Sequence, residues 1–415
     1  MTQAKLLIVG GKGGVGKTTI AAATALGAAE RGQRCLVASV DRAHSLGDVL
    51  GQQLGPAPAA VAGVENLWAL EVDPQAELRR HWGALQSYVG RILAYLGIGG
   101  AVAEEVAVLP GLEELLVLAR LSELVSSGDF DLHVADFAPT ASSLRYLSFP
   151  SLVGGSLGKW IEWDRRIARL LRPLEGRYMR MPVPEERVYT AITQLADSLA
   201  TLQELLADPQ RTGVRLVMVP EPVILAETRR ALTYLSLFGL NVDVVVANRV
   251  LPAEADLGYL AGWSAVQARV LEETREAIGG LQLLTLLMQP HEIVGAASLR
   301  GLASDLYGDR DPSLLYRSEP ALSFGQEAND LILSFHLPHA SDAELDLRRR
   351  EDELILTVGG WRRTVLLPDS FVGRPVVKAA LSGSRLRIVF GGRAPAAADV
   401  AAAADGSASE KEERA

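Results

Sequence analysis

The sequence predicts a doubly wound, mostly parallel α/β sheet with an inserted helical subdomain, followed by a separate all-β sandwich. Seven apolar runs alternate with longer helical patterns in the first three quarters of the chain: KLLIV, CLVAS, NLWALEV, DLHVAD, RLVMV, VDVVVAN and LQLLTLL. Continuous apolar strands separated by helices are typical of parallel sheets that are covered on both faces. Beyond residue 320, apolar and polar residues alternate between turns, which is typical of antiparallel strands.

These patterns divide the chain into regions. Residues 1–308 carry the α/β pattern, and within them 74–127 and 151–209 are helical in pattern with few strand signals. We interpret these two stretches together as a subdomain inserted above the strand ends, on the ligand side of the sheet. The remaining regions are predicted to be a linker, the β-sandwich and a disordered tail poor in large apolar residues, at 309–320, 321–393 and 394–415.

Composition restricts the possible classes of function. The 415 residues have a net charge of −9 and no basic stripe, which argues against nucleic-acid binding. The single cysteine, Cys35, excludes intramolecular disulfides and four-cysteine metal sites, and fits a reducing cytosol. No apolar stretch approaches the ~20 residues that span a bilayer, and the amino terminus lacks a signal-peptide pattern. We therefore expect a cytoplasmic protein without stable membrane insertion.

The stretch GGKGGVGKTT, at 10–19, contains the pattern G-x-x-x-x-G-K-[ST] of a phosphate-binding loop. An apolar strand precedes it and a helical pattern follows, as the motif requires, which disfavours the alternative of a glycine-rich turn without a ligand. We expect Lys17 to bind the β- and γ-phosphates and Thr18 to bind Mg²⁺. The predicted nucleotide contacts of the loop are Gly11, Lys12, Gly13, Gly14, Val15, Gly16, Lys17, Thr18 and Thr19.

Two charged residues near this loop each have two interpretations. Lys12 is expected to project away from the chain's own nucleotide, either into solvent or toward a phosphate held by another subunit. Asp136 ends the run DLHVAD, where a carboxylate can hold Mg²⁺ through water. The alternative for Asp136 is an ordinary helix-capping or surface aspartate.

Several motifs together resemble those of the ATPases with the deviant phosphate loop K-G-G-x-G-K-[ST]. That family includes the arsenite-pump ATPase, the tail-anchored-protein targeting ATPase, and the division and partition ATPases. ADFAPTASSLRYLSFP resembles the segment D-T-A-P-T-G-H-x-L-R-L-L-x-F-P of the first two, and VDRAHSLGDVLG resembles their T-D-P-A-H-S switch. Similarity in LPGLEELLVLARL, VPEPVILAETRRALTYLSLFGLNVDVVVANRV and QPHEIVGAASL extends the resemblance over residues 1–308. It implies a P-loop NTPase fold.

The resemblance also implies residues for hydrolysis and switching. Asp41 matches the carboxylate that orients the attacking water, and Asp136 matches the magnesium-side aspartate, both expected to reach Mg²⁺ through water. Pro139 and Thr140 match the second switch, which senses the γ-phosphate. Arg42 replaces the proline of T-D-P-A-H, which leaves the rate of hydrolysis open.

Further implied roles concern the adenine and the dimer. Asn248 matches the asparagine that reads the adenine edge, and Pro290 lies in the segment similar to the last nucleotide-side loop. Lys12 matches a lysine that crosses a dimer interface, so the resemblance implies a homodimer with ATP and Mg²⁺ at the interface. The C-x-x-C pair of the zinc-bridged eukaryotic relatives is absent, so no zinc is expected. The implied catalytic group is Asp41, Lys12 and Lys17.

The strands after residue 320 also resemble a known family. The order of HLPHA, DELILTV, RRTVLLP and SRLRIVF is similar to that of the α-crystallin-like domain of small heat-shock proteins. The resemblance implies an α-crystallin-like sandwich at the carboxyl end.

Two segments of the predicted subdomain carry apolar stripes at helical spacing, HWGALQSYVGRILAYLGIGG and SLVGGSLGKWIEWDRRIARLLRPL. Such stripes pack in a core, or, in a dimer, line a groove for an apolar client helix. The residues of this predicted groove are Trp82, Tyr88, Ile92, Tyr95, Trp160, Ile161, Ile167 and Leu171.

We predict an ATP-hydrolysing homodimeric switch that binds hydrophobic client segments, such as those of tail-anchored membrane proteins. One alternative is an ATPase subunit of an arsenite-type efflux pump, disfavoured because one cysteine cannot supply the roughly three thiolates that hold As(III). A partition or positioning ATPase is a weaker alternative, because the tail is acidic and alanine-rich.

Overall fold

The structure is a computed structural model that describes residues 4–40, 45–77, 88, 90–92, 95, 112–137, 184–252, 258–317 and 319–392. The chain forms two compact units, Met1–Ala321 and Leu322–Ala415.

An eight-stranded sheet forms the centre of the first unit. Its strands are β1 (Lys5–Gly11), β2 (Cys35–Ser39), β3 (Ala59–Ala60), β4 (Leu67–Glu71), β5 (Leu132–Asp136), β6 (Thr212–Met218), β7 (Val242–Val250) and β8 (Gln282–Leu287). Their order is β3-β4-β2-β5-β1-β6-β7-β8, and only β3 with β4 is antiparallel. All seven predicted strands form. The short β3 gives no periodic pattern in the sequence.

Helices cover both faces of this sheet. They are α1 (Lys17–Ala29), α2 (Leu46–Leu50), α3 (Leu112–Ser126), α4 (Glu186–Ala207), α5 (Pro222–Leu237), α6 (Ala261–Ala277) and α7 (Gly295–Tyr307), with a 3₁₀ turn at Gly258–Leu260. Alternate residues of β1 face opposite layers: Leu6 and Ile8 belong to the core under α3 to α6, and Leu7 and Val9 to the core under α1, α2 and α7. This two-sided burial explains the continuous apolar strands and confirms the predicted α/β class.

Only part of the predicted helical subdomain lies within the described residues. The helices α3 and α4 belong to its two stretches, and both pack their apolar sides against the sheet. Among the predicted groove residues, Tyr88 and Ile92 are half-buried and Tyr95 is 51% exposed. The other groove residues lie outside the described part of the chain: Trp82, Trp160, Ile161, Ile167 and Leu171. No described helix is long and apolar enough to cross a bilayer.

The segment after α7, predicted as a linker, is packed against the first unit at 311–317. The guanidinium of Arg215, which is fully buried on β6, donates hydrogen bonds to the carbonyl oxygens of Pro312 (2.6 Å) and Leu314 (3.0 Å) and to the Tyr307 hydroxyl (2.8 Å). The Asn241 side chain donates to the Arg317 carbonyl at 2.8 Å. A buried guanidinium therefore fixes the course of the chain up to the end of the first unit.

The second unit is an antiparallel sandwich. Its strands are β9 (Leu322–Glu327), β10 (Asp330–His336), β11 (Leu345–Arg350), β12 (Glu353–Val358), β13 (Trp361–Leu366), β14 (Val376–Ser382) and β15 (Arg385–Phe390). They form a four-stranded sheet, β14-β15-β10-β9, and a three-stranded sheet, β11-β12-β13. Alternate residues of β15 are buried, as the alternating pattern predicts, whereas β10 and β12 each bury three consecutive residues, at 331–333 and 354–356. The predicted all-β class of the carboxyl-terminal region is confirmed.

Candidate functional site

The predicted phosphate loop connects the carboxyl end of β1 to the amino end of α1. Two of its glycines are required by close contacts. A Cβ on Gly11 would lie 2.2 Å from the carbonyl oxygen of Val217 on β6, and a Cβ on Gly16 would lie 2.4 Å from Nδ2 of Asn248. Both residues also have positive φ, at 142° and 95°, which disfavours any other residue type. The loop is thus held between β6 and the end of β7.

Lys17 begins α1 and lies across this loop. Its side chain is buried, and its Nζ donates to the carbonyl oxygen of Lys12 at 3.4 Å. Val15 is buried in the core and contributes only its backbone to the loop. An ammonium group at the start of a helix, over a loop of backbone N–H groups, provides positive potential for phosphates. The predicted contacts Gly11 to Thr19 therefore lie on the loop between β1 and α1 and on the first turn of α1.

A cluster of oxygen atoms lies beside this loop. The Thr18 hydroxyl donates to Oδ2 of Asp136 at 2.6 Å, and the Ser45 hydroxyl lies 3.0 Å from Oγ1 of Thr18. Asp136 is fully buried at the end of β5. Hydroxyl and carboxylate oxygens are ligands that Mg²⁺ prefers, so the donor set fits this ion. Thr18 and Asp136 are described residues that would hold it, and their role as magnesium residues stays a prediction.

Ser45 was not predicted as a site residue. It lies in the VDRAHS switch segment, but its contact with Thr18 joins residues that are 27 positions apart. The register of the sheet explains this contact: β2 and β5 are parallel neighbours, with Ser39 paired to Asp136. Ser45 therefore lies at the same edge of the sheet as the phosphate loop and Asp136.

Asn248 contacts the phosphate loop directly. Its Nδ2 donates to the Val15 carbonyl at 2.9 Å, and its Oδ1 accepts from the Arg249 backbone N–H at 2.9 Å. The amide is 8% exposed. Both ends of this amide are thus engaged by backbone groups, and reading of an adenine edge by Asn248 stays a prediction.

Replacing Asn248 by alanine is expected to weaken nucleotide binding. It leaves the buried Val15 carbonyl without its hydrogen bond, which costs about 1–3 kcal/mol and loosens the loop that binds the phosphates. We expect a roughly tenfold or greater rise in the Kd for ADP by calorimetry. Replacing Asn241, whose amide binds the Arg317 carbonyl away from the loop, is the control and should leave the Kd within about twofold. Equal losses in both variants would contradict this role.

Lys12 lies near the loop surface and pairs within its own chain. Its Nζ is 3.3 Å from Oε2 of Glu227 on α5, and the two side chains are 40% and 42% exposed. The structure therefore places Lys12 at the surface rather than over its own phosphate loop. The predicted contact of Lys12 with a second subunit stays a prediction.

The remaining predicted residues are only partly covered by the structure. Asp41, Pro139 and Thr140 lie outside the described residues, while Pro290 is exposed after β8. The strand ends that lead to these switches are held together: the Val40 N–H donates to the Asp136 carbonyl at 3.1 Å. Both switch segments thus begin at the edge of the sheet that carries the phosphate loop.

Similarity to known proteins shows which family the chain belongs to. The sequence profile of the anion-transporting ATPases matches residues 4–308. The chain belongs to this ATPase family. A second profile, described as an HSP20-like domain found in ArsA, matches residues 328–390. These matches confirm both resemblances inferred from the sequence, and membership of the family makes the chain an ATPase.

Individual members of the family show the same relationship. A Chlorobaculum tepidum protein named "Putative arsenical pump-driving ATPase" is 38% identical over 389 residues, covering 93% of this chain and 96% of that protein. An Aquifex aeolicus protein named "Putative arsenical pump-driving ATPase 1" is 31% identical over 372 residues, 88% and 94% of the two chains. The "ATPase ASNA1 homolog" of Dictyostelium discoideum is 27% identical over 309 residues, 74% and 91%.

Proposed function

We propose that this ATPase is a cytoplasmic homodimeric switch that binds hydrophobic client segments, such as those of tail-anchored membrane proteins, according to its nucleotide state. The observation that carries the proposal is the exposed position of Lys12, the additional lysine of the phosphate loop. Lys12 is exposed at the loop surface, where its ammonium group pairs with the partly exposed Glu227, so another subunit can reach it without disturbing a buried contact. Similarity to a protein named an ASNA1 homolog supports the same function.

Each residue of the site has a defined task in hydrolysis. Lys17 and the loop N–H groups bind the phosphates, while Thr18 and Asp136 would hold Mg²⁺, which would supply positive charge against the phosphate oxygens. Asp41 orients a water molecule whose oxygen attacks the γ-phosphorus, and the bond to the ADP oxygen breaks. Lys12 of one subunit reaches the phosphates of the other, so that hydrolysis requires the closed dimer.

Nucleotide state is coupled to client binding through the switches. Pro139 and Thr140 lose a contact when the γ-phosphate leaves, an order-to-disorder change that reopens the dimer. The apolar stripes of the two helical subdomains then separate and release the client helix. Tyr95, which is 51% exposed, belongs to one of these stripes.

The proposal is tested with the full chain and a defined client. Asp41→Asn with ATP and Mg²⁺ is expected to form a dimer by light scattering and to bind a peptide with an apolar helix of about 20 residues. A peptide of equal length with two central arginines is the control. With ADP instead of ATP, the dimer should dissociate and the peptide should be released.

Lys12→Met is expected to keep nucleotide binding within about twofold but to lose at least tenfold in ATP turnover, as removal of a cation acting in trans would. Lys378→Met, in the second unit, is the matched control with the same loss of charge. A monomeric Asp41→Asn protein in ATP, or a Lys12→Met protein with normal turnover, would overturn the homodimeric switch.

The names of two relatives favour a second function, an ATPase that energises arsenite efflux. The chain has one cysteine, and Cys35 is fully buried in β2. Burial raises the pKa of its thiol to about 12, so the thiolate that binds metalloids is disfavoured. Stimulation of ATP turnover by arsenite would support this second function, and unchanged turnover would remove it.

A further inference from the structure

The hydroxyl of Ser45 is turned away from its ordinary local partner. Ser45 is the residue before α2, a position where serine usually accepts a hydrogen bond from a backbone N–H of the first turn, yet it makes no such bond. Glu71, at the end of β4, takes this task instead: its Oε1 accepts from the Gly47 N–H at 2.9 Å. The Ser45 hydroxyl is thereby released toward Thr18.

The directions of the hydrogen bonds follow from the number of protons. A threonine hydroxyl has one proton, and Thr18 donates it to the Asp136 carboxylate at 2.6 Å. In the 3.0 Å contact between the two hydroxyls, Ser45 must therefore be the donor and Thr18 the acceptor. The lone pairs of the Ser45 oxygen remain available, and they lie beside the oxygen that would bind Mg²⁺.

The surroundings of this contact are polar and partly buried. Glu71, Ser39 and Asp136 end three neighbouring strands and are paired across the sheet, Ser39 with each of the other two. In parallel strands, laterally paired residues point to the same face. Ser39 is fully buried, and its hydroxyl has no hydrogen-bond partner among the described residues. Ser39, Glu71 and Asp136 thus form a polar row at this edge of the sheet, and Asp136 is the member of the row that contacts Thr18.

We propose that Ser45 is an additional oxygen ligand of the Mg²⁺ site, made available because Glu71 replaces it at the start of α2. A cation held by the Thr18 oxygen would repel the Ser45 proton that points at the same atom. Rotation of the Ser45 hydroxyl would turn that proton away and make the Ser45 oxygen available as a ligand. Ser45 follows Asp41 by four residues, so metal binding fixes the end of the first switch. This inference rests on the proposed Mg²⁺-dependent nucleotide site.

The test measures the metal directly rather than hydrolysis alone. For the full chain, the affinity for a fluorescent ADP analogue is measured against Mg²⁺ concentration and again in EDTA, and the spectrum of bound Mn²⁺ is recorded by electron paramagnetic resonance. Ser45→Ala is expected to raise the Mg²⁺ midpoint about tenfold or more, as loss of a metal-site contact does. Its affinity in EDTA should stay within about twofold of the wild type.

Three further variants separate a metal role from a structural one. Ser45→Thr keeps the hydroxyl and should restore the wild-type midpoint. Ser39→Ala removes a neighbouring hydroxyl that does not contact Thr18 and should leave the midpoint unchanged. Glu71→Ala keeps Ser45 but removes the acceptor of the Gly47 N–H. The Ser45 hydroxyl oxygen then accepts from this N–H instead, so the Mg²⁺ midpoint should rise as in Ser45→Ala.

Two results would overturn the inference. One is a Ser45→Ala protein with a wild-type Mg²⁺ midpoint; if that variant does not fold, a wild-type midpoint in Glu71→Ala has the same meaning. The other is an equal rise of the midpoint in Ser39→Ala, which would assign the effect to the polar row in general. If the nucleotide affinity of the wild-type chain were the same with and without Mg²⁺, the proposed Mg²⁺-dependent nucleotide site itself would be refuted.

Discussion

Gly11→Ala is expected to destabilise the first unit by about 3 kcal/mol or more and to abolish ATP hydrolysis. The new Cβ would lie 2.2 Å from the Val217 carbonyl oxygen and 3.3 Å from a Val15 methyl group. The first neighbour is backbone in the middle of the sheet and cannot rotate away. Overpacking costs about 1–3 kcal/mol, and the positive φ of 142° adds strain of similar size. Denaturant unfolding and steady-state ATP turnover measure both effects.

Gly13→Ala is the matched control in the same loop. Apart from its own chain neighbours, no atom of the described residues lies within 4 Å of a Cβ at this position, and its φ lies outside the left-handed region. Its free energy of unfolding should therefore stay within about 1 kcal/mol of the wild type. Equal destabilisation by the two substitutions would show that the loop, rather than its contact with β6, sets the requirement for glycine.

Local patterns predicted the elements of this fold, because each depends on residues close in sequence. The run KLLIV is apolar throughout since Leu6 and Ile8 face one layer of helices and Leu7 faces the other. The phosphate loop was equally predictable, because its glycines, Lys17 and Thr18 are consecutive or nearly so.

Contacts between distant residues were not predictable in the same way. The resemblance predicts that Asn248 reads the adenine, which stays a prediction, but it does not predict the hydrogen bond of its amide to a loop carbonyl 233 positions away. The pairs Lys12–Glu227 and Ser45–Thr18 likewise depend on which strands are neighbours and in what register. The amino-acid types alone allow many partners for a lysine or a serine, so only the sheet order selects these.

The segment 309–320 shows a related limit of sequence patterns. It has no periodic apolar pattern, which is why it was predicted to be a linker. Its fixed course depends on carbonyl oxygens that accept hydrogen bonds from Arg215. Every residue type has such a carbonyl, so the sequence carries no sign of this contact on the accepting side.

His133→Gln and Asp243→Asn are expected to change the pH dependence of stability in opposite directions. Burial lowers the pKa of His133 to about 4, below the roughly 6.5 of an unfolded chain. Stability due to neutral His133 is therefore lost as the pH falls from about 6.5 to 4. Burial raises the pKa of Asp243 to about 6, against the opposing charge of Arg215. On acidification, the folded chain therefore binds a proton at Asp243 at a higher pH than the unfolded chain does. Stability is gained as the pH falls from about 6 to 4.

Each contribution amounts to about 3 kcal/mol, since one pKa unit corresponds to about 1.4 kcal/mol. The two contributions nearly cancel in the wild type. Together, His133 and Asp243 should therefore change its free energy of unfolding little between pH 6.5 and 4. His133→Gln removes the loss of stability that protonation of His133 causes, and its amide can still donate to the Leu124 carbonyl that His133 contacts at 2.9 Å. Relative to the wild type, this variant should therefore gain stability on acidification. Asp243→Asn removes the gain, and this variant should lose stability more steeply than the wild type.

Denaturant unfolding at pH 7, 6, 5 and 4 measures these slopes for the three proteins. The sign of each difference carries the test, because absolute stabilities also change with every exposed carboxylate, whereas those contributions are common to all three chains. A His133→Gln slope equal to that of the wild type would mean that the buried imidazole accepts a proton without unfolding. Parallel slopes for Asp243→Asn and the wild type would mean that the positive charge of Arg215 keeps the Asp243 carboxylate ionised in the folded core throughout this range.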